Sequence, residues 1–302
     1  MDQVDVDMRI RVAMEALANG DFIYAEMLAR GLPYGDPSSV SFEIRKLAMI
    51  DQIRRTSVPL VQLSPVDRFV AEHFMYLTHG HFDRSYDGWR MRRVRKLMEV
   101  YGIEFQGKRI LELGAGLGDI GSIFADLGAE VVGLEGRAAN CNLARLRFRG
   151  LKNYQVIQFN LEDDFSRFGR FDLIINFALV EVIARFEQLL QCCMKMSDTI
   201  FLETIVCDST DPYKVLFFDM RGGDYNDWSL SGTNPRPSPA YIERLFIENG
   251  FDVHRHFDSD LNTCFVSYDW THPCSNINST NAHTLRRYWS FTKPQGQVSG
   301  EK

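Results

Sequence analysis

The chain is 302 residues long and 45% apolar, enough to bury a full core and fold as a globular protein. Its 40 acidic residues outnumber the 34 basic ones, a net charge of −6, which removes any general electrostatic reason to expect a nucleic-acid surface. No run approaches the roughly 18 uninterrupted apolar residues of a membrane span, and the opening "MDQVDVDMRI" carries acids where a secretory signal carries Lys or Arg, so a soluble, cytoplasmic protein without membrane contact is expected.

Residues 7–54 read as short helices. "RIRVAMEALANGDFIYAEMLARGL" breaks at Asn19-Gly20-Asp21, where Asp21 can cap a second helix, and "DPSSVSFEIRKLAMIDQIRR" supplies a third with Pro37 and Ser38 at its start. The Ala-Leu-x-x-Gly-Asp-Phe-x-x-Ala-Glu run resembles one tetratricopeptide-type hairpin, whereas a repeat array needs about three such units. Residues 1–62 are therefore expected to form a helical cap, or a surface for a partner or for a homodimer.

Two further helices are expected at 63–79 and 88–101, and beyond them strands alternate with helices. The strand-like stretches are 109–113, 130–134, 154–158, 171–177, 199–203, 251–257 and 262–268; helices start near Gly118, Ala138, Leu179 and Ser238. Such alternation implies a parallel sheet with helices on both faces. The last two stretches are joined only by "DSDL", too short for a crossover, so they should pair antiparallel. The expected class is α/β: a mostly parallel, seven-stranded, doubly wound sheet with an antiparallel last strand over residues 63–270, followed by an extension, 271–302.

Directly after the first strand comes the glycine turn of "RILELGAGLGDIG". Glycines there let the backbone turn tightly and approach a ligand at the carboxyl edge of the sheet. The dinucleotide pattern wants glycine at its first, third and sixth places, but those places hold Gly114, Gly116 and Asp119. A carboxylate at the last would occupy the helix N-terminus where a pyrophosphate binds.

The string Glu-x-Gly-x-Gly-x-Gly instead resembles motif I of the class I S-adenosylmethionine-dependent methyltransferases, the branch of wobble-uridine tRNA carboxymethyltransferases being closest in pattern. Further stations support the resemblance: "VVGLEG" ends the second strand, "VIQFNLED" the third, and "GRFDLIINFALV" introduces the fourth. The resemblance implies S-adenosylmethionine as cofactor, bound by Glu112, Gly114, Ala115, Gly116, Gly118, Glu135, Gly136, Asn160, Leu161, Asn176 and Phe177. In that implied site Glu112 offers charge toward the methionine amino group, Glu135 accepts from the ribose hydroxyls, and Asn160 and Leu161 stand near the adenine.

The branch's Gly-x-x-Tyr-His after the fourth strand is absent. Glu181 and Val182 replace the last two residues, so that branch's chemistry does not carry over. Glu181 is either a base beside the cofactor sulfur or a solvated first-turn acid favoured by the helix dipole. The Gly, Asn, Asp and Pro density after the fifth strand marks 205–237 as a lid-like loop, in which Glu203 at its approach, Asp208, Tyr213, Trp228 and Asn234 are candidates for substrate contact or for holding the loop itself.

His79, His81 and Asp83 alternate in a loop without a further ligand fixed by spacing, and no metal is expected. "RMRRVRK", 90–96, places five cations on a helix whose apolar face is Met91, Val94, Leu97 and Met98; it reads as a solvated face, or with Arg286 and Arg287 as a site for phosphate. The six cysteines lack C-x-x-C spacing and read as reduced thiols. The expected activity is methyl transfer to oxygen or nitrogen of a small polar or sugar-like acceptor; the alternatives are RNA modification and a scaffold that binds cofactor without turnover.

Overall fold

The computed structural model describes residues 3–18, 28, 84–148, 150–219, 229–262, 266–274 and 285–294. Apart from Leu28, the expected helices at 21–54 and 63–79 lie outside them, as do His79, His81, Asp83 and Trp228. Contacts divide the chain into two units. One holds α1 (Gln3–Ala18), α2 (Arg84–Tyr101) and α4 (Ala138–Arg147). Within α2, Val94 and Leu97 are buried as their spacing requires, but so are Arg90 and Arg93, at 4% and 1% exposure. The cationic stretch is therefore not a uniformly solvated face; Arg92 and Arg95 alone of its arginines are exposed.

The other unit is built on β1 (Arg109–Leu113), β2 (Glu130–Glu135), β3 (Tyr154–Gln158), β4 (Leu173–Phe177), β5 (Thr199–Ile205), β8 (Asp252–His256) and β9 (Arg286–Thr292). They form a seven-stranded sheet in the order β3-β2-β1-β4-β5-β9-β8. β1 to β5 run parallel, and β9 is antiparallel to both β5 and β8. Apolar residues run almost unbroken through β4 and β5 because both their faces are covered. One face carries α3 (Asp119–Asp126). The other carries α5 (Phe186–Met196) and α6 (Pro239–Glu248), whose apolar stripes join Ile174, Ile200, Leu202 and Trp289 in the core. Ser238 caps α6, its hydroxyl accepting from Tyr241 N at 3.0 Å with Pro239 in the first turn, as its sequence requires.

The reversed strand is β9, not 262–268. The "DSDL" stretch closes a short 3-10 turn, Ser259–Leu261, and Asn262 Oδ1 then accepts from Tyr268 N at 2.8 Å, holding the chain in a loop. Ser267 makes only a single bridge, to Leu285. β9 comes from the stretch expected to be a terminal extension and slots between β5 and β8, where its side chains from Arg286 to Phe291 are all buried. A second difference lies in the 205–237 segment, which contains a two-stranded ribbon, β6 (Val215–Asp219) paired antiparallel with β7 (Thr233–Pro237). Prolines at 235 and 237 hid β7, since proline removes ladder donors and is confined to edges.

Candidate active site

The glycine turn leaves β1 at the carboxyl edge with Gly114, Gly116 and Gly118 at φ of 69°, 55° and 83°, conformations that an L side chain strains. The amides of Gly114 and Ala115 donate to Leu134 O at 2.8 and 3.0 Å, fastening the turn to β2. Gly121, one turn into α3, is the point of closest approach: a Cβ there would overlap Glu112 Oε2 and lie 2.7 Å from the Tyr154 ring. Glu112 explains why. Its Oε2 accepts from Gly121 N at 3.0 Å and from the Tyr154 hydroxyl at 3.0 Å, so this buried carboxylate clamps α3 and β3 to β1.

Glu135 ends β2 on the same face. Its Oε2 accepts from Gly116 N and its Oε1 from Arg137 N, both at 2.8 Å, so the carboxylate is fixed against the glycine turn. Beside it, Leu230 Cδ1 lies 2.6 Å from where a Cβ on Gly136 would stand, while Ser229 Oγ donates to Val182 O at 2.9 Å. Residues 229–231 thus run from the end of β2 to the turn after β4. β1, from which the glycine turn leaves, lies between those two strands.

Of the β3 pair, Asn160 is exposed, with Oδ1 accepting from Glu162 N at 3.2 Å, and Leu161 is buried in the core at 5% exposure. Glu162 accepts from Ala184 N and Arg185 N at 2.7 and 3.0 Å, tying this loop to the start of α5. On β4, Asn176 is fully buried, and neither its Oδ1 nor its Nδ2 finds a hydrogen-bond partner among the described residues. Leaving both ends of a buried carboxamide unpaired costs several kcal/mol, on the order of 1–3 per group, unless a ligand supplies the partners. Phe177 packs against Tyr288, and Ala178 follows at φ 56°, an uncommon left-handed non-glycine residue at the strand's carboxyl end.

Glu181, read from sequence as either a base or a solvated first-turn acid, is 1% exposed. Its Oε1 accepts from Arg286 Nη2 at 2.6 Å and its Oε2 from Thr204 Oγ1. Arg286 also donates to both oxygens of Glu203, which accepts from Tyr268 Oη at 2.8 Å. Burial works against the Arg286 charge, but the two glutamates hold its pKa well above the ordinary guanidinium range. Both Glu181 oxygens are thus engaged, and Glu203 serves the same interior network. Burial pushes the Arg236 guanidinium down, Glu181 opposing it, and its Nε donates to Asn234 Oδ1 at 3.0 Å. Tyr213 is exposed, under the guanidinium of Arg244 at 4.6 Å.

Arg287 is wholly interior too: Nη1 donates to Tyr268 O at 2.6 Å, Nη2 to Trp270 O, and the guanidinium stacks 3.5 Å from the Trp270 ring centroid. Burial, with Arg255 adding, pushes its pKa down to about 9. The two arginines therefore form no phosphate site. Asp208, beyond β5, pairs with His272 at 2.6 Å; the sequence carried no signal for that histidine beyond its residue type. Among the described residues no group of three His, Cys, Asp or Glu side chains could hold a metal ion.

A family model described as a methyltransferase domain matches residues 79–256, more than half of the chain. The chain belongs to this family. The methyltransferase is similar to a ubiquinone biosynthesis O-methyltransferase of Chelativorans sp. (strain BNC1), 35% identical over 95 residues, 30% of this chain and 37% of that protein. It therefore spans little more than a third of that relative. In fold it is similar to the N-terminal domain of EvdMO1 with SAH bound, at a TM-score of 0.51 and 20% identity over 67% of this chain and 81% of that one. The same domain solved in the presence of SAH and D-fucose gives 0.51 and 21%, covering 68% and 83%. A methyltransferase of this family and fold takes its methyl group from S-adenosylmethionine.

Proposed function

We propose that this methyltransferase transfers the methyl group of S-adenosylmethionine to an oxygen or nitrogen of a small polar or sugar-like acceptor lying under the 205–237 segment. The observation that carries the reading is Glu135, a buried carboxylate held by two backbone amides against a turn of three left-handed glycines. A carboxylate ending the second strand beside such a turn suits a vicinal diol, the ribose of the cofactor. The residues fit the rest of the group as well. Gly114, Ala115, Gly116, Gly118 and Gly136 let the backbone close on it, Asn160 and Leu161 stand at the end of β3 for the adenine, and the unpaired carboxamide of Asn176, with Phe177, stands at the end of β4 for its polar end. Glu112 acts at one remove, as a positioning residue that sets the turn through Gly121.

Bound there, the cofactor supplies an electrophilic methyl on a sulfonium, so the chain's task is alignment, exclusion of water and, for a hydroxyl or ammonium acceptor, removal of a proton. The buried polar pair of Asn234 and Arg236 on β7 supports a polar acceptor, and the name of the Chelativorans relative supports oxygen as the atom methylated. RNA is disfavoured by the interior placement of Arg286 and Arg287. The test is calorimetric titration of S-adenosylmethionine, its demethylated product and NAD into the wild type and Glu135→Ala. Binding of the first two, weakened by the substitution, is expected; a folded wild type that binds neither, or binds NAD equally, overturns the reading.

A further inference from the structure

Methyl transfer to a hydroxyl needs a proton acceptor, and Glu181 has both oxygens occupied. Another pair is built for the task. Asp208 stands three residues past the end of β5, and its carboxylate is fixed from two sides: Oδ2 accepts from Cys274 N at 2.8 Å, and Oδ1 lies 2.6 Å from His272 Nδ1. A carboxylate has no proton to give, so Nδ1 is the donor, and in the neutral ring Nε2 carries the free lone pair. The Trp270 indole meets the imidazole edge-to-face at 4.8 Å and fixes its plane. Nε2 has no hydrogen-bond partner among the described residues, and the His272 side chain is 17% exposed, enough for a ligand to reach.

The pair rises from the edge that carries the glycine turn. Val206 N donates to Leu285 O at 2.9 Å and Cys207 N to Pro237 O at 3.2 Å, leading the chain upward between β9 and β7. One residue before Pro237, the Arg236 guanidinium faces Glu181 in the turn after β4. β5 is two strands from β1 and parallel to it, about 10 Å across the sheet at the usual strand spacing, so Asp208 leaves the same carboxyl edge of the sheet as the glycine turn. Arg287 and Cys207 are ionisable groups that feel the Asp208 charge, and Cys274 donates its backbone amide to it.

We propose that His272 is the general base of the methyl transfer, acting on an acceptor hydroxyl through Nε2, with Asp208 as its positioning residue. The inference rests on the methyltransferase reading of the site given above. The O–H bond of the acceptor breaks and its proton passes to Nε2. The acceptor oxygen forms the new bond to the methyl carbon, and the electron pair of the broken carbon–sulfur bond stays on sulfur as a neutral thioether. The imidazolium that results is stabilised by Asp208 and loses its proton to water.

The experiment uses the full chain with tritiated S-adenosylmethionine as donor and, as hydroxyl probes, catechol and the low-molecular-weight extract of bacterial cells. His272→Asn keeps a donor toward Asp208 but has no basic nitrogen. It is expected to lower kcat by about 10²- to 10⁴-fold while calorimetric affinity for the demethylated cofactor stays within about twofold. His272→Ala should regain part of its rate with added imidazole, and Asp208→Asn should lower kcat at unchanged KM and shift the alkaline-rising limb of the pH profile. His272→Asn at more than half the wild-type rate, or a wild type that binds cofactor yet methylates no hydroxyl probe, overturns the inference alone. A wild type that binds no cofactor overturns the underlying reading, and the inference with it.

Discussion

Glu135→Gln isolates the contact on which the cofactor assignment rests. Both carboxylate oxygens accept from backbone amides at 2.8 Å, one from Gly116 and one from Arg137. A carboxamide has one acceptor oxygen, so in either orientation its NH2 faces an N–H that had been bonded. One hydrogen bond is lost, and a donor is left unsatisfied at a residue that is 6% exposed, at a cost of about 1–3 kcal/mol. For a domain of this size that is a fall in Tm of roughly 2–12 °C. The lost negative charge also removes a charge-assisted acceptor for a ribose hydroxyl, about 1.5–3 kcal/mol, so the demethylated cofactor should bind roughly 10- to 100-fold more weakly. Thermal denaturation with and without ligand measures both. An unchanged Tm together with unchanged affinity would show that Glu135 neither holds the turn nor meets the ligand.

Gly121→Ala forces a Cβ into Glu112 Oε2 and the Tyr154 ring, and should cost about 1–3 kcal/mol of stability in urea denaturation, with weaker cofactor binding as α3 is displaced. Leu230→Ala has the opposite profile: the side chain is 57% exposed, so stability should change by less than about 0.5 kcal/mol, while stopped-flow dissociation of the demethylated cofactor should become faster on loss of the side chain beside Gly136. Arg286→Met leaves Glu181 and Glu203 buried without their counter-ion and should destabilise by about 3–5 kcal/mol, a loss that shrinks in Glu181→Gln/Glu203→Gln/Arg286→Met. Tyr241 is pushed up to about 12 by burial and by its bond to Glu187. The unfolded phenol ionises first, so stability falls as pH rises from the ordinary tyrosine value toward about 12; Tyr241→Phe should flatten that decline in denaturation curves taken across this range.

Local sequence was enough for the parallel core and for the glycine turn, because both are written in short-range patterns. Apolar runs bounded by Gly and Asp mark β1 to β5, and Glu-x-Gly-x-Gly-x-Gly marks a turn whose left-handed residues only glycine adopts without strain. Ser238-Pro239 announces α6 in the same local way. Glu135 was legible too, since a carboxylate ending the second strand must stand beside the turn that ends the first.

Only the tertiary structure decided the fate of the charges. Arg286 and Arg287 read as a basic patch because their partners are remote in sequence: Glu203 and Glu181 are 83 and 105 residues away from Arg286, and no window of composition contains both ends of a buried ion pair. The same distance hid β9, a strand with two cations that enters the sheet interior only because Arg286 is neutralised by two glutamates and Arg287 is hydrogen-bonded to two carbonyls and stacked on Trp270. Asp208 was visible as a loop acid, but that it orients a histidine 64 residues later was not. Backbone conformation follows from neighbours in the chain, whereas whether a charged side chain is solvated, paired or poised for chemistry follows from neighbours in space.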